Sequence, residues 1–369
     1  MKIALSGGHL TPALAVIDEF KKMANVEIIF IGRARSTEGD VTPSAESVVI
    51  PNLGIKFYAI SAGRLQRHLS LYTIPSIAKV PLGVIQSLAI LGKEKPDIII
   101  SFGSYVALPV VFSGWILGIP TITHEQTLKG GLANKFITRF AKKIALSWEE
   151  SRKYFPGEKT VVVGNPIRKE ILNLKRVRTS RPVIFITGGN QGAHIINETV
   201  GDVLPDLLKK YEVVHQTGGS EAFKDYEKLK AASSILPKRF QNRYIIEKWF
   251  SSEEISKILA KTSVLVGRSG ANTVSETAAL GVPAIFIPLP HSAGGEQTIN
   301  AQILENLQAA VILPQERLTP KRLLNSVDHV VKNYNLFKGK AREARKIIDP
   351  KAAKKLVEET LAVAKLYVK

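Results

Sequence analysis

The chain reads as a two-domain α/β protein, each domain a doubly wound parallel sheet, and three observations carry that reading. Its 369 residues exceed what one hydrophobic core ordinarily serves, at roughly 150 residues per domain. A strand that ends in a glycine pair and opens a helix occurs twice. Lys2-Ile-Ala-Leu-Ser6 runs into Gly7-Gly8-His9 and a helix through Pro12, and Pro182-Val-Ile-Phe-Ile-Thr187 runs into Gly188-Gly189-Asn190 and a helix from Ala193. Each half then repeats a second unit: Asp97-Ile-Ile-Ile-Ser101 leads through Gly103 to a helix and Gly118-Ile-Pro120, as Ser263-Val-Leu-Val-Gly267 leads through Gly270 to a helix and Gly281-Val-Pro283. Strands alternating with helices across short glycine turns imply parallel sheets, and such sheets bind ligands at the carboxyl ends of their strands. Two such domains facing one another place the expected site in the cleft between them.

Taken in order, Met1 to Leu5 is too short an apolar run for a signal peptide and reads as the first strand, so a cytoplasmic setting is expected. Residues Pro51 to Lys93 carry no Asp or Glu; Lys56, Arg64, Arg67, Lys79 and Lys93 stand there among Leu69, Leu71, Tyr72, Ile74, Ile77, Val80 and Leu82. Basic residues interleaved with aliphatic ones suit an anionic lipid surface better than nucleic acid, which would ask for stacking aromatics or polar readers. An amphipathic helix with a core-facing aliphatic side is the other reading, and it stays open. Ile98 to Thr123 is free of formal charge and long enough for a membrane span. Pro109, Pro120, Gly103, Gly114 and Gly118 interrupt it, and strand, loop, helix, strand over Asp97–Thr123 fits better. A strand over Thr160–Val163 precedes a hinge at Gly164-Asn165-Pro166, and Arg176 to Arg181 forms a charged linker. The domains are expected at 1–165 and 166–345, with a basic C-terminal helix at 346–369 packing back towards the first.

Composition narrows the chemistry. Cysteine is absent, which removes disulfides, thiolate metal sites and cysteine nucleophiles. The 51 Lys and Arg against 32 Asp and Glu leave a formal charge of +19, suited to anionic partners. Neither glycine pair matches GxGxxG or the Walker pattern, which disfavours a dinucleotide oxidoreductase or an ATPase. No Asp-x-Asp and no HExxH occurs, so no metal site is expected. Glycines after a strand let a helix N-terminus approach an anion such as diphosphate, or merely close a tight turn; both uses stay open. In Arg268-Ser-Gly-Ala-Asn-Thr-Val-Ser-Glu276 the hydroxyls of Thr273 and Ser275 precede a helix carboxylate, Glu276, suited to gripping a ribose diol or simply solvated. His9, at a helix start whose dipole disfavours imidazolium, is a candidate general base or a capping residue. His124-Glu125-Gln126 stands just beyond a strand end, and Glu125 is the only acid between Asp97 and Glu149, either a site residue or an ion-pair partner. Glu296-Gln297 ends a comparable loop in the second half, and Arg168 follows Asn165-Pro166 where it could meet leaving-group charge.

Taken together the motifs resemble the MurG family of bacterial transferases, which move N-acetylglucosamine from UDP-N-acetylglucosamine to lipid I. The resemblance spans most of the chain. It rests on Gly7 to Ala15, Phe102-Gly-Ser-Tyr-Val, His124-Glu-Gln, Gly131-Leu-Ala-Asn134, Gly164-Asn-Pro-x-Arg168, Gly188-Gly-x-Gln-Gly-Ala193, His215-Gln-Thr-Gly218, Arg268 to Glu276 and Gln297-x-x-Asn-Ala301. It implies a GT-B fold, two Rossmann-like domains about a central cleft, with the sugar nucleotide on the C-terminal domain and the lipid acceptor on the N-terminal one. It implies donor contacts from Arg168, Asn190, Gln191, Phe250, Ala271, Asn272, Thr273, Val274, Ser275, Glu276, Glu296 and Gln297. It implies acceptor contacts from Ser6, Gly7, Gly8, Gly103, Tyr105, His124, Thr127 and Asn134. His9 would be the base for the acceptor 4-hydroxyl, with Glu125 as the rival, and inversion would give lipid II. UDP-N-acetylglucosamine is then a substrate, with no cofactor and no metal. The expected partners are that donor, a polyprenyl-diphosphate acceptor, an anionic membrane met through Arg64, Arg67, Leu69, Leu71, Tyr72, Ile74, Ile77, Lys79 and Leu82, and cell-wall synthesis proteins; nucleic acid is not one. The resemblance implies a peripheral enzyme on the cytoplasmic side of the inner membrane. Ala4-Leu5-Ser6 stands where the family has Gly-Gly-Thr, Thr127 where it has Asn, Asn190 where it often has Ser, and Gly294-Gly295-Glu296 where its loop is more acidic and carries a His. A UDP-sugar transferase with another acceptor, or a sugar-nucleotide-binding scaffold without turnover, remains as an alternative.

Overall fold

The computed structural model describes residues 1–35, 43–63 and 73–367. They form two compact units, Met1–Arg168 with Asp349–Lys369, and Lys169–Ile348. In unit 1 the chain runs β1 (Lys2–Ser6), α1 (Leu10–Phe20), β2 (Glu27–Gly32), α2 (Ala45–Asn52), β3 (Lys56–Ala59), α3 (Thr73–Glu94), β4 (Ile98–Ser101), α4 (Ser104–Ile116), β5 (Thr121–Glu125), α5 (Leu132–Phe140), β6 (Lys143–Leu146) and β7 (Thr160–Val162). These strands form one parallel sheet in the order β3-β2-β1-β4-β5-β6-β7. Unit 2 runs α6 (Lys169–Leu172), β8 (Val183–Thr187), α7 (His194–Lys210), β9 (Glu212–Gln216), α8 (Asp225–Ser234), α9 (Lys238–Gln241), β10 (Tyr244–Glu247), α10 (Ser252–Lys261), β11 (Thr262–Gly267), α11 (Ala271–Leu280), β12 (Ala284–Phe286), α12 (Glu296–Asn306), β13 (Ala310–Ile312), α13 (Pro320–Lys332) and α14 (Tyr334–Ala344). Its sheet is also parallel, in the order β10-β9-β8-β11-β12-β13. Both sheets are doubly wound, with the order reversing between β1 and β4 in one and between β8 and β11 in the other.

The central strands are apolar without alternation because helices cover both faces of each sheet. Ile98, Ile99 and Ile100 are all fully buried, two of them facing the α1 side and Ile99 the α4 side. The final helix, α15 (Ala352–Tyr367), belongs to unit 1. Leu356, Val357 and Val363 join the core of Ile17 and Phe20 from α1. In unit 2 the largest core lies under α7 and α13, where Ile196, Val200, Leu204, Leu207, Leu323 and Val327 pack on Ile184, Ile186, Val264 and Val266.

Two local expectations are corrected. The strand read over Gly118–Thr123 instead covers Thr121–Glu125, so His124 and Glu125 are its last residues. Pro120 has no N–H to give the ladder, while His124 and Glu125 pair with Ala145 and Leu146 of β6. Arg176 to Arg181 is not a free linker. The Arg176 guanidinium donates to the carbonyls of Leu259 and Thr262, capping the end of α10, and Val177 N–H donates to Ala260 O at 2.9 Å.

Candidate functional site

Within unit 1 the candidate site is the carboxyl edge of the sheet where β1 and β4 part. Two turns meet there: Phe102 N–H donates to Ser6 O at 2.7 Å and Gly8 N–H to Gly103 O at 3.2 Å. A Cβ on Gly7 would stand 2.8 Å from the Phe102 backbone, and one on Gly8 2.7 Å from the Ser104 side chain. The glycine pair is therefore required for the approach of one turn to the other. Directly beneath, the Ser6 hydroxyl is fully buried and has no hydrogen-bond partner among the described residues.

His9 is the N-cap of α1, but its half-buried side chain caps nothing. Burial, and then the Arg33 guanidinium, hold its imidazole down at about 4, so it is neutral throughout the physiological range. Arg33 follows β2 and is itself fixed, donating from Nε to Glu46 Oε1 at 3.1 Å and from Nη1 to the Tyr105 hydroxyl at 2.6 Å. The sequence reading named Tyr105 and missed Arg33; its one signal was an arginine directly after a strand's carboxyl end.

His124 is buried, its Nε2 within 3.1 Å of Gly164 O and 3.2 Å of Ser147 Oγ. Burial first, with a smaller push from His9, holds it too at about 4 despite the Gly164 hydrogen bond. Glu125 is equally buried. Its Oε1 accepts from Thr127 N–H and Thr127 Oγ1, both at 2.8 Å, and its Oε2 accepts from Asn134 Nδ2. Burial pushes this carboxyl up while those donors pull it down, and burial prevails. Thr127 and Asn134 are thus spent on Glu125. Arg168 is half-buried and is the last residue of the first stretch of unit 1.

Unit 2 has a counterpart at the parting of β8 and β11. The turn 188–193 and the turn after β9 meet backbone to backbone: Gly192 has φ +82, and a Cβ on it would lie 2.0 Å from Thr217 O. Gly219 N–H and Ser220 N–H donate to Asn190 O and Gln191 O at 3.0 and 3.2 Å. The side chains of Asn190 and Gln191 are exposed. Trp249 closes this turn. It lies against Gly219, where a Cβ would stand 1.9 Å from the indole, and its Nε1 donates to Asn190 O at 3.0 Å. The sequence reading chose its neighbour Phe250, which is half-buried, and missed Trp249.

Neither α7 nor α11 carries an acid in its own first turn, although Asp225 of α8 lies 2.8 Å from His194 Nδ1 and accepts from Asn197 Nδ2 at 2.9 Å at the start of α7. On α11, Ala271, Val274 and Ser275 are buried, so only Asn272, Thr273 and Glu276 of that run present side chains. Gln297, in the first turn of α12, accepts from Leu289 N–H at 3.0 Å through its carbonyl oxygen; Glu296 is beside it. Arg268 is structural. It donates to Ile287 O, Pro288 O and Gln315 Oε1 at 3.0, 3.2 and 2.7 Å and ties down the loop after β12.

Of the residues expected at a membrane, Arg64, Arg67, Leu69, Leu71 and Tyr72 lie outside the described residues, Ile74, Ile77 and Lys79 fall in the early turns of α3, and Leu82 is exposed. No helix among the described residues is long and apolar enough to cross a membrane. A feature the sequence reading missed adjoins Leu82. Helices α3, α4 and α5 pack side by side and leave Ile85, Trp115, Ile116, Leu132 and Phe136 exposed, with the Arg139 guanidinium 5.2 Å over the Phe136 ring.

Residues 6–146 match the glycosyltransferase family 28 N-terminal domain, and residues 183–358 the glycosyltransferase family 28 C-terminal domain. Among curated relatives, the UDP-N-acetylglucosamine--N-acetylmuramyl-(pentapeptide) pyrophosphoryl-undecaprenol N-acetylglucosamine transferase 2 of Bacillus cereus is 35% identical over 90% of this chain and 91% of its own length. The enzyme of that name from Listeria welshimeri is 33% identical over 99% of this chain and all of its own. Among solved structures, MurG of Acinetobacter baumannii is similar with a TM-score of 0.69 and 25% identity, covering 98% of this chain and 99% of that one. The UDP-GlcNAc 2-epimerase of Neisseria meningitidis, bound to UDP-GlcNAc, shares the fold at 15% identity and a TM-score of 0.69 over 98% of this chain and all of its own. With two doubly wound sheets, both family 28 domains in order and relatives of this identity over nearly the whole chain, the protein belongs to glycosyltransferase family 28 and, within it, to the MurG family.

Proposed function

We propose that the protein transfers N-acetylglucosamine from UDP-N-acetylglucosamine to the 4-hydroxyl of the muramoyl sugar of lipid I, forming lipid II by inversion. The observation that carries this reading is the near-full-length identity to enzymes whose names state that reaction. In unit 2 the diphosphate of the donor meets the amides of the 188–193 turn and the α11 N-terminus, Glu276 takes the ribose diol, and Gln297 offers its NH2 to the sugar. In unit 1 neutral His9 accepts the proton of the 4-hydroxyl as that oxygen bonds to the anomeric carbon, while the bond to the UDP oxygen breaks on the opposite face. UDP leaves with the electron pair, its charge met by helix-end amides.

The enzyme works at the cytoplasmic face of the membrane as a peripheral protein. The exposed Trp115, Ile116, Leu132 and Phe136 beside Lys135 and Arg139 suit the interface of an anionic bilayer. The purified protein, given UDP-[14C]N-acetylglucosamine and a lipid I analogue, should yield a labelled β-linked disaccharide product, with His9→Ala and Glu276→Ala each losing most of it. Turnover with another acceptor only, or UDP binding without any product, would replace this assignment.

A further inference from the structure

The Glu125 carboxylate stands beside His9's turn and looks like a second base, yet its surroundings suit a different task. An oxygen that is to take a proton from a substrate needs a free lone pair facing that substrate. Here Oε1 has both lone pairs taken by the N–H and the hydroxyl of Thr127, Oε2 has one of its two taken by Asn134 Nδ2, and the whole residue is only 2% exposed. The loop that supplies these donors is itself closed, for Thr127 Oγ1 accepts from Gly130 N–H at 3.1 Å. The chain of contacts continues beyond Asn134. Its Oδ1 accepts from Ser104 N–H at 3.0 Å. Ser104 has φ +70, a conformation that L side chains disfavour and that needs an outside contact to hold it. Gly103, at φ +67, presses on the same amide so closely that a Cβ would lie 2.5 Å from Asn134 Oδ1. Gly103 O in turn receives Gly8 N–H, the residue before His9.

We infer that Glu125 is a positioning residue: through Asn134 it locks the strained Gly103–Ser104 turn, and through that turn it sets where the Gly8–His9 segment meets the acceptor. The Glu125 carboxyl orients the Asn134 amide, NH2 towards its Oε2 and C=O towards Ser104. A side chain at 125 with a donor in place of one acceptor would turn the amide round and take the acceptor from Ser104. This inference rests on the transferase reading for its kinetic consequence, but not for its structural one.

The test uses the full chain with Glu125→Gln, Asn134→Ala, the double variant, and Thr127→Val, which removes one donor and keeps the backbone. Deuterium exchange at residues 102–106, measured without substrate, should quicken at least about tenfold in Glu125→Gln and in Asn134→Ala, and less in Thr127→Val. For the lipid acceptor, kcat/KM should fall roughly 100-fold in each single variant, and the double variant should be no worse than the poorer single, because both cut one relay. The pH profile should keep the wild-type acid limb, and UDP affinity should stay within about twofold. If exchange at 102–106 is unchanged in Glu125→Gln while activity and the acid limb disappear, the carboxylate is a base and the inference is overturned. Multiplicative losses in the double variant would overturn it as well. Should Glu125→Gln not fold, Thr127→Val and Asn134→Ala decide it by the same exchange measurement. Absence of turnover in the wild type would sink the transferase reading alone, since exchange still reports on the relay.

Discussion

His9 offers the sharpest quantitative test, because its imidazole is held at about 4 where an ordinary histidine sits near 6.5. The sign follows from the role. A base must be neutral in the free enzyme, so kcat/KM for the acceptor should rise with pH through the His9 value and then stay flat. At pH 5.5 about 97% of a group at 4 is neutral, against about 9% of a group at 6.5. Going from pH 7 to pH 5.5 should therefore leave kcat/KM almost untouched, where an unperturbed histidine would lose about eightfold. Arg33→Met removes the cation that helps hold His9 down and should move the limb towards higher pH, with Tyr105 and Glu46 left in place. When the anionic acceptor is bound its diphosphate should favour imidazolium, so the limb in kcat should lie above the limb in kcat/KM. His124 also titrates near 4, and its variant His124→Asn separates the two contributions. The assay is initial-rate transfer to a soluble lipid I analogue between pH 4.5 and 8, with folding checked by circular dichroism at each pH. A limb near 6.5 in the wild type, or one that Arg33→Met leaves in place, would refute the reasoning.

Gly192→Ala sets a Cβ 2.0 Å from Thr217 O in a residue at φ +82; the clash must push the 188–193 turn away from Thr217, so titration calorimetry should show UDP binding weakened at least about tenfold. Trp249→Phe deletes the indole donor to Asn190 O and trims the ring that packs on Gly219 and should weaken UDP binding by roughly tenfold, the hydrogen bond alone accounting for about 0.5–1.5 kcal/mol, whereas an unchanged Kd would remove Trp249 from the donor turn. His215 is fully buried between the Tyr244 hydroxyl and Asn197 Oδ1, and burial holds it at about 3. The unfolded chain binds a proton there below about 6.5 and the native one does not, so stability is unaffected above 6.5 and falls as pH drops from 6.5 towards 3. The difference between pH 7 and pH 5 is about 2 kcal/mol from this one group. Urea unfolding of unit 2 should show that pH-dependent part vanish in His215→Phe, and an identical pH slope in the variant would contradict it.

Much was legible in the sequence because the signals are local. Unbroken apolar runs such as Ile98–Ile100 are what a strand covered on both faces requires, and a glycine pair after such a run marks where a parallel sheet turns into a helix. The duplication of that unit is a property of order along the chain, and both sheets in fact carry the same winding. His9 could be picked out because it stands in the glycine turn directly after β1, and Glu276 and Gln297 because each follows a strand through a glycine-containing loop. What tertiary structure alone decided is which of these groups are free and which are spent. Thr127 and Asn134 are read as acceptor contacts, and the fold shows that both also donate to Glu125, because a buried carboxylate must be satisfied by donors that folding brings from the β5 end and from α5. Arg33 stands 24 residues from His9 in the chain, and Trp249 stands 59 from Asn190; neither pairing has a period or spacing to announce it. Only the packing of three adjacent helices shows that Trp115 and Phe136 face outwards, since exposure depends on what the rest of the chain covers.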